Sequence, residues 1–586
     1  MILSALDGYY DRLAESGEPG IPLLGFGRQK IHFCLVINRE GELVLAPQTL
    51  CRQEGKKRIP QELVVPEPVK RTCGVAANFL WDNTGYVLGN DPKGKPERSA
   101  DTFSAFKKLQ HLVGDGIDDI GMVAVLRFLD KWNPLDATSL RYWEELSGQN
   151  VVFRLLDDDT ERYVHERPKV REAWLRYCHR KNDSPRGVCL VSGQDGPIAT
   201  LHPAIKGVFG AQSSGAALVS FNLDAFKSYG KDQNHNAPIG EKAAFSYTTA
   251  LNWLLRNESR QKIRVGDCTM VFWAERKAEV EDIFSELIAP SSGDGALEPE
   301  DSSTDLYVRT ILEAARTGRV QDAITAPDTP FYVLGLSPNA SRLSVRFWLV
   351  STVEEIVRHI YLHLSQIQII QGFKDEPEFL HPPVWRLLRE TAALNKSENI
   401  SPLLAGAFIR AVLSGELYPP NLLSSLLVRI RADHNVNRLR AGLIKAVLVR
   451  NHGMEVAVSL DKNNTNIGYR LGRLFAVLEL AQERANKGIN STIRDKYFGS
   501  ASATPRSIFP ALLSLSQKHL SKLRRDEETK GYYVYLDRNI EEIVTALDAK
   551  PIPAFLEPTD QGLFSIGYYH QRRDLFTKDS DRKQEE

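Results

Sequence analysis

The sequence lacks the patterns that mark a secreted or membrane-inserted protein. Its six cysteines are scattered over 586 residues and none forms a CxxC pair, which excludes a disulfide framework and predicts reduced thiols. No run of 18 apolar residues occurs, so no membrane span is expected. The amino-terminal segment has neither a basic n-region nor an apolar h-region, which argues against a signal peptide. These absences predict a soluble, cytoplasmic protein.

Motifs of common enzyme classes are also missing. There is no GxxxxGK[ST] phosphate-binding loop, and the glycines Gly25 and Gly27 are not followed by the helix that a dinucleotide-binding fingerprint requires. No Ser/His/Asp arrangement is recognisable, and paired carboxylates such as Asp118 and Asp119 look like loop acids. We therefore predict no catalytic residues and no cofactor.

Possible metal ligands have unfavourable spacing. His359 and His363 lie one helical turn apart, as in zinc proteases, but Ile360 follows the first histidine where that motif has glutamate. A second group combines an adjacent pair with irregular gaps: Cys178, His179, Cys189 and His202. Buried thiols and histidines on a packed helix explain both groups, so no metal is predicted.

The charge is balanced overall but unevenly distributed. Lysine plus arginine and aspartate plus glutamate each total 74. Ser425–Arg525 carries 18 basic and six acidic residues, whereas Val271–Pro330 carries five basic and 13 acidic residues. A basic carboxyl-terminal third can bind a polyanion on one face. Solvated helix faces give the same counts, so charge alone leaves both interpretations open.

Hydrophobic periodicity predicts an α+β fold in three regions. Residues 1–230 alternate strands, helices and long loops, which is typical of a mixed α/β domain with functional loops. Residues 231–380 are predicted to form a middle α+β domain with an acidic linker at 291–305. Residues 381–586 consist of amphipathic helices with short loops, which predicts a helical bundle.

Two local patterns are more specific. "PFYVLGLSPNASRLSVRFWLVSTVEEI" predicts two strands joined at "SPNAS" and then a helix capped by Ser351 or Thr352. "GVFGAQSSGAALVSFN", residues 207–222, predicts a glycine-rich loop followed by the strand "ALVSFN". Such a loop exposes backbone N–H groups and small hydroxyls, and it lacks the lysine of a nucleotide-binding loop. We interpret it as a candidate finger for nucleic acid.

Basic residues form two further groups. Loop cations at 56–58, Lys70 and Arg71 precede the aromatic pair Phe79 and Trp81, which suits phosphates and a stacked base, although core aromatics with solvated cations fit equally well. In the helical third, cations alternate with aliphatic residues over about 30 Å between Arg429 and Arg450. This single-sign row is typical of a groove that follows a nucleic-acid strand, and its binding is expected to weaken with salt.

Several long segments carry a family resemblance. They are "MILSALDGYYDRLAE", "VPEPVKRTCGVAANFLWDNTGYVLG", "CLVSGQDGPIATLHPAIKGVFGAQSSGAALVSFN", "FYVLGLSPNASRLSVRFW" and "NIGYRLGRLFAVLELAQ". From residue 1 to about 570 the chain resembles the large subunit of the type I-C CRISPR surveillance complex, Cascade. The resemblance implies a non-catalytic subunit that reads the protospacer-adjacent motif of duplex DNA, opens the duplex, holds the displaced strand and helps to recruit the helicase-nuclease.

The resemblance also implies partners and a possible second product. The partners are the guide RNA, target double-stranded DNA, the backbone and handle-binding subunits, the small subunit and the helicase-nuclease. In this subtype the carboxyl-terminal helices are thought to be made separately from an internal start. Met454, or a codon near it, is the candidate for that start.

Given this resemblance, candidate site residues are chosen by the chemical groups that contact with DNA bases and phosphates requires. A loop that enters the minor groove needs small residues and an amide or hydroxyl for base edges, which favours Gln212, Ser213, Ser214 and Gly215. Further DNA candidates are Asn78 and Asn83 for bases, Lys70, Arg71 and Lys231 for phosphates, and Gln212 or Phe209 as the wedge that opens a base step. The displaced-strand candidates are Arg438, Arg440, Arg470, Arg473, Arg494 and Lys496.

Two other function classes stay open at this stage. A nuclease or other hydrolase acting on nucleic acid requires a cluster of Asp, Glu and His that can hold Mg²⁺, and no such cluster is recognisable in the sequence. A scaffold protein whose basic helices bind acidic partners requires no base recognition at all.

Overall fold

The computed structural model describes most of the 586-residue chain. The described residues are 1–16, 20–54, 57–69, 71, 74–91, 96–156, 158, 162–180, 185–221, 223–265, 268–278, 281, 284, 317, 326–371, 382–547 and 551–576. They divide into two compact units. Unit 1 comprises Met1–Ile205 and Val219–Trp253, and unit 2 comprises Lys206–Leu218 and Leu254–Glu586.

Unit 1 is built on small sheets. The four-stranded sheet has the order β3-β2-β8-β7, with β2 and β8 parallel and the other pairs antiparallel. Antiparallel pairs also join β1 with β6, β4 with β5 and β9 with β10. The strands are β1 Phe26–Ile31, β2 Phe33–Ile37, β3 Gln48–Thr49, β4 Arg52–Glu54, β5 Lys57–Ile59, β6 Gln61–Pro66, β7 Trp81–Asn83, β8 Asn150–Leu155, β9 Arg186–Val188 and β10 Asp195–Pro197.

Helices cover these sheets in unit 1. They are α1 Ile2–Glu15, α2 Thr84–Val87, α3 Pro96–Gly114, α4 Ile120–Lys131, α5 Trp143–Leu146, α6 Pro168–Arg180 and α7 Glu241–Leu254, with 3₁₀ turns at Pro134–Ser139, Val164–Glu166, Asp224–Phe226 and Gln233–Asn236. Aromatic packing fills the core: the Phe79 and Trp174 rings stack with centroids 5.1 Å apart. Trp81 is also buried and donates its indole N–H to the Pro66 carbonyl oxygen at 2.7 Å. Phe79 and Trp81 are therefore core residues, and the alternative of a base-stacking surface is not supported.

Unit 2 begins with an antiparallel sheet in the order β11-β12-β13-β14. Its strands are β11 Lys262–Val265, β12 Cys268–Ala274, β13 Pro330–Asn339 and β14 Arg342–Thr352. The predicted hairpin around "SPNAS" is confirmed, and so is the helix cap. Thr352 accepts a hydrogen bond from the backbone N–H of Glu355, whose carboxylate accepts one from the Thr352 N–H. The predicted acidic linker at 291–305 lies outside the described residues.

Helices make up the rest of unit 2, and the prediction of an α+β fold with a helical carboxyl-terminal region is confirmed. The helices are α8 Val353–Ile367, α9 Val384–Arg389, α10 Pro402–Ser414, α11 Asn421–Asp433, α12 Arg438–His452, α13 Ile467–Ala485, α14 Ile493–Ala503, α15 Pro505–Arg525, α16 Lys530–Leu547 and α17 Pro558–Phe576, with 3₁₀ turns at Ala393–Asn395 and Ser397–Asn399. One continuous hydrophobic core joins the sheet to these helices. The predicted boundary at 380/381 falls within this unit, and the three-domain division stays a prediction.

The central pair of the bundle is α13 and α17, which cross at very short range. A Cβ atom on Gly472 would lie 2.0 Å from the Phe564 carbonyl oxygen, and one on Gly567 would lie 2.2 Å from the Tyr469 carbonyl oxygen. Only glycine permits this backbone approach. The glycines of "NIGYRLG" thus position a buried helix around which α15 and α16 pack.

Candidate nucleic-acid interface

The glycine-rich loop at 207–218 belongs to unit 2, where it is attached to the sheet. The Phe209 N–H donates to the Thr269 hydroxyl at 2.9 Å, and the Leu343 N–H donates to the Ala217 carbonyl oxygen at 2.9 Å. The predicted strand "ALVSFN" is wrong: Ala217 makes only an isolated bridge to Arg342. This apolar run is fixed by tertiary contact with the β13–β14 turn rather than by a partner strand.

Glycine geometry fixes the path of this loop. Gly207 has φ +89°, and a Cβ atom there would lie 2.5 Å from the Leu255 carbonyl oxygen. Gly215 has φ +97°, and its N–H closes a turn on the Gln212 carbonyl oxygen at 2.9 Å. Both positions are accessible to glycine and strained for other residues. The loop is therefore a defined structure with a preset tip.

The tip carries the polar side chains that the sequence analysis selected. Gln212, Ser213 and Ser214 are exposed, and among the described residues their side chains have no hydrogen-bond partner. Phe209 is 47% exposed and lies beneath the Arg264 guanidinium, whose carbon is 3.0 Å from the ring centroid. An arginine held over an aromatic ring beside free amide and hydroxyl groups can contact a phosphate while the tip contacts a base edge.

The second group of DNA candidates, in unit 1, contacts other protein groups, among them the buried Asp82 carboxylate. Arg71 pairs with the Asp82 carboxylate, donates from Nε to the Ala76 carbonyl oxygen at 2.6 Å and lies 4.0 Å over the Tyr86 ring. Burial raises the pKa of Asp82, and the hydrogen bonds from Arg71 and two backbone N–H groups only partly offset this effect. Arg71 is thus committed to neutralising a buried carboxylate, which leaves it little capacity for a phosphate.

The two asparagines are likewise structural. Asn78 is buried, its side-chain oxygen accepts the Val69 N–H at 2.9 Å, and its carbonyl oxygen accepts from Gln110. Asn83 caps α2 by accepting the Gly85 N–H at 3.0 Å. The structure therefore does not present Asn78 to DNA. Lys70 lies outside the described residues.

Two arginines of the row in the helical region, Arg473 and Arg440, are buried. Arg473 is only 1% exposed; it donates to Gln571 at 2.9 Å and pairs with Glu542 at 2.8 Å. Arg440 is 3% exposed and pairs with Glu390 at 2.9 Å and Asp433 at 2.5 Å. Burial alone would raise the pKa of Asp433, but hydrogen bonds from Arg429 and Arg440 outweigh it and lower that pKa.

Two more members of that row also bind protein groups. Arg470 donates to the carbonyl oxygens of Asn464 and Ala546 at 2.7 Å and 2.6 Å. The Arg494 guanidinium approaches the fully buried Glu479 at 3.8 Å. Tyr568 and Thr492 both donate to Glu479, at 2.5 Å and 2.7 Å. Both arginines are half-buried and contact protein groups, and their assignment to the displaced strand stays a prediction.

The remaining predicted cations lie at the surface or at a helix end. Arg438 is the first residue of α12 and is half-buried. Lys496 on α14 is exposed, and no acidic partner of it occurs in the part of the chain that the structure describes. In unit 1, Lys231 is exposed in the turn that follows Tyr229. Lys496 and Lys231 therefore stay compatible with phosphate contacts.

The structure reveals a cationic surface that the sequence analysis did not single out. Between Asp495 and Asp526 the chain contains no acidic residue, and α15 occupies most of this stretch. The α15 face consists of small, hydroxyl, amide and basic side chains that are exposed: Arg506, Ser507, Ala511, Ser514, Gln517, Lys518, Ser521, Lys522, Arg524 and Arg525. Over the described residues Lys518, Arg524 and Arg525 have no ion-pair partner, and Lys522 donates to an Asn486 amide oxygen at 3.1 Å.

Aromatic side chains lie on the neighbouring helix. Tyr532 and Tyr535 of α16 are 42% and 38% exposed, and the Arg484 guanidinium lies 4.5 Å over the Tyr532 ring. From Arg506 to Arg525 the α15 face extends about 28 Å. Exposed cations, small side chains that permit close approach and nearby aromatic rings together suit a single nucleic-acid strand. The signal available in the sequence was the absence of acids between positions 495 and 526.

The candidate metal ligands are engaged elsewhere. His359 and His363 use Nδ1 for the Leu413 carbonyl oxygen at 2.8 Å and the Tyr418 hydroxyl at 2.7 Å. His202 contacts the Tyr247 hydroxyl at 2.5 Å. Within the described ranges no group of three or more His, Cys, Asp or Glu residues could hold a metal ion. None of the helices described here is both long and apolar enough to cross a membrane.

One family model matches nearly the whole chain. The family model described as "CRISPR-associated protein (Cas_Csd1)" matches residues 6–576. No curated protein matches the chain significantly. The family match covers both compact units, so it applies to the loop at 207–218 and to the α15 face alike.

Proposed function

The chain belongs to the Cas_Csd1 family of CRISPR-associated proteins, and from that premise we propose that it is the non-catalytic large subunit of a type I-C, RNA-guided antiviral complex. In this role it recognises the protospacer-adjacent motif of duplex DNA, promotes unwinding and R-loop formation, and holds the displaced strand. Its partners are the guide RNA, target DNA, the backbone and handle-binding subunits, the small subunit and the helicase-nuclease, in the cytoplasm.

The observation that carries the proposal is the tip of the loop at 207–218. Three exposed polar side chains, Gln212, Ser213 and Ser214, stand on a backbone fixed by Gly207 and Gly215. The minor groove is narrow and offers acceptors at every base pair and a donor at G·C pairs. An amide has both a donor and an acceptor, and a hydroxyl is small enough to follow it into the groove.

The α15 face supports the second part of the proposal. A displaced strand is a flexible polyanion with exposed base faces, so it is held by phosphate contacts and stacking rather than by base readout. The face supplies four cations within its last two turns, and the neighbouring helix α16 carries the exposed Tyr532, over whose ring the Arg484 guanidinium lies at 4.5 Å. Cations at a helix carboxyl terminus also stabilise the helix dipole, and this contribution has to be separated from binding by experiment.

The segment between α12 and α13 is a suitable place for a separately made small subunit to begin. Met454 follows Gly453, the left-handed residue at the end of α12, and precedes the segment that leads to α13. A product beginning there contains α13 through α17 whole. It lacks α12, whose Ile444 and Leu448 side chains lie beside Gly562 of α17, so this product exposes apolar surface that another subunit has to cover.

The test replaces the loop tip in the assembled complex. Changing Gln212, Ser213 and Ser214 to alanine is expected to weaken binding of a guide-matched duplex at least tenfold, since each good base contact contributes about 1–3 kcal/mol. Assembly, followed by size-exclusion chromatography, is expected to be unchanged. Duplexes with randomised flanks report whether selectivity for the flanking bases is lost.

A matched control uses the same side-chain types on another exposed turn. Ser192 and Gln194 flank Gly193 between β9 and β10 and are exposed. Their alanine variants are expected to bind as the native chain does. Equal binding by the loop variant and the native chain would refute the loop assignment. Cleavage of the duplex by the subunit alone would instead favour the nuclease alternative.

A further inference from the structure

Tyr229 is the most exposed large apolar or aromatic side chain among the described residues, at 98%. It lies in unit 1 at the tip of the turn Ser228–Lys231. A fully solvated phenol ring forfeits the burial that stabilises most tyrosines in folded proteins. The position therefore contributes nothing through packing to the fold of unit 1.

The backbone at this tip disfavours tyrosine as well. The Lys231 N–H donates to the Ser228 carbonyl oxygen at 3.0 Å, and Tyr229 and Gly230 have φ +51° and +69°. Positive φ at both central positions defines a type I′ turn, in which asparagine followed by glycine is strongly preferred. A tyrosine at the first central position is unfavourable because its backbone has positive φ and its ring is exposed to water.

Hydrogen bonds and ion pairs with neighbouring residues nevertheless fix the conformation of the turn. Asn236 accepts the Ser228 N–H at 2.9 Å and donates to the Lys231 carbonyl oxygen at 2.9 Å. Lys227 bridges Asp224 at 2.9 Å and Asp232 at 2.8 Å. Asn234, which is buried, donates to the Ala199 carbonyl oxygen at 2.6 Å. An exposed ring on a cross-braced turn is preorganised for a contact outside unit 1.

We infer that Tyr229 stacks on a nucleobase that is unpaired when the target duplex opens. The side chains around it are polar or absent, at Ser228, Gly230, Lys231 and Asp232, so the ring stands alone rather than within an apolar patch of the kind that anchors protein interfaces. A lone ring suits insertion beside a base, and exposed Lys231 suits the adjoining phosphate. This inference rests on the proposed function, since it requires target DNA at unit 1.

The experiment compares paired and pre-opened targets in the assembled complex. The probe is a guide-matched duplex with 2-aminopurine next to the flanking bases, whose fluorescence reports unstacking. Tyr229→Ser is expected to slow opening of the paired duplex about tenfold or more, the range of a lost base–aromatic stack. A duplex with a preformed bubble at the same step keeps the unpaired base, so Tyr229→Ser is expected to weaken its binding by a similar factor. A bubble with an abasic site in place of that base is expected to bind the native and variant complexes within about twofold of each other, because no base is left to stack.

Two further variants make the result specific. Tyr229→Phe and Tyr229→Trp keep a stacking ring and are expected to restore opening. Leu223→Ser removes another exposed apolar side chain of the same segment, 53% exposed, and is expected to have no effect. Native opening rates in Tyr229→Ser would overturn the inference, and so would equal losses on base-containing and abasic targets or failure of this variant to assemble, which indicates a protein anchor. If the native complex binds neither target, the proposed function itself fails.

Discussion

Two sets of cations in the helical region differ in their burial and in the groups that surround them. The arginines of α12 and α13, such as Arg440 and Arg473, are buried against carboxylates and carbonyl oxygens. The cations at the end of α15, such as Lys518 and Arg525, are exposed. Within the described residues, ion pairs with glutamate or aspartate are formed by the first set and not by Lys518, Lys522, Arg524 or Arg525. The distribution of acids, rather than the number of cations, therefore separates structural charges from charges available to a polyanion.

The largest expected effect comes from breaking the buried set. Arg473→Met removes the hydrogen bonds to Gln571 and to the Lys462 carbonyl oxygen and the ion pair with Glu542, so we expect a loss of about 1–3 kcal/mol in the free energy of unfolding. Urea unfolding monitored by circular dichroism measures it. Lys518→Met is the control on the exposed set and is expected to stay within about 0.5 kcal/mol of the native chain. Equal stabilities of the two variants would contradict the comparison.

A smaller but selective effect is expected from neutralising the exposed set. Changing Lys518, Lys522, Arg524 and Arg525 to glutamine removes four phosphate contacts, so the salt dependence of single-strand binding should fall by about three in log–log slope. Fluorescence anisotropy with a labelled oligonucleotide at several salt concentrations measures this slope.

The control for that variant removes charge from cations that have acidic partners. Lys396, Arg410 and Lys530 are exposed and pair with Glu398, Glu416 and Glu527. Their glutamine variants are expected to change the slope by less than one. An unchanged slope in the α15 variant would remove this face from the account.

The smallest expected effect concerns the pH dependence of stability that a buried histidine causes. Burial lowers the pKa of His363 to about 3, whereas the unfolded chain titrates near 6.5. The unfolded state therefore binds more protons between these values, and stability is lost as the pH falls below 6.5. His363→Gln is expected to reduce this slope by about 1.4 kcal/mol per pH unit near pH 5. Unfolding free energies measured from pH 5 to 7.5 test it, and an unaltered slope would contradict it.

The sequence predicted the elements whose formation depends on residues close together in the chain. The cap at Thr352, the β13–β14 hairpin and the amphipathic helices all depend on spacing within a few residues. The glycine-rich loop was also recognised, because closely spaced glycines such as Gly207 and Gly215 permit the positive φ that tight turns use. Its attachment to the sheet was not predictable, since the β13–β14 turn that holds Ala217 lies more than a hundred residues later.

Whether the arginines point into the core or towards solvent was also not predictable, because it depends on residues distant in the chain. Helix α12 is buried nearly all round, so its arginine and aliphatic residues do not separate into the two faces from which exposure is inferred. Glu390, which neutralises Arg440, is 50 residues away in the chain. Tyr229 was missed because "SYGK" reads as an ordinary polar turn, and only its exposure in the folded chain distinguishes it.

The central claim is that unit 2 presents α15, and not the arginines of α12 and α13, to the displaced strand. Crosslinking of the assembled complex to a guide-matched duplex, with photoreactive bases in the displaced strand and mass-spectrometric mapping, tests it most directly. The account predicts crosslinks to 506–525 and to the neighbouring Tyr532. Crosslinks confined to helices other than α15 and α16, or none within the helical region, would contradict it.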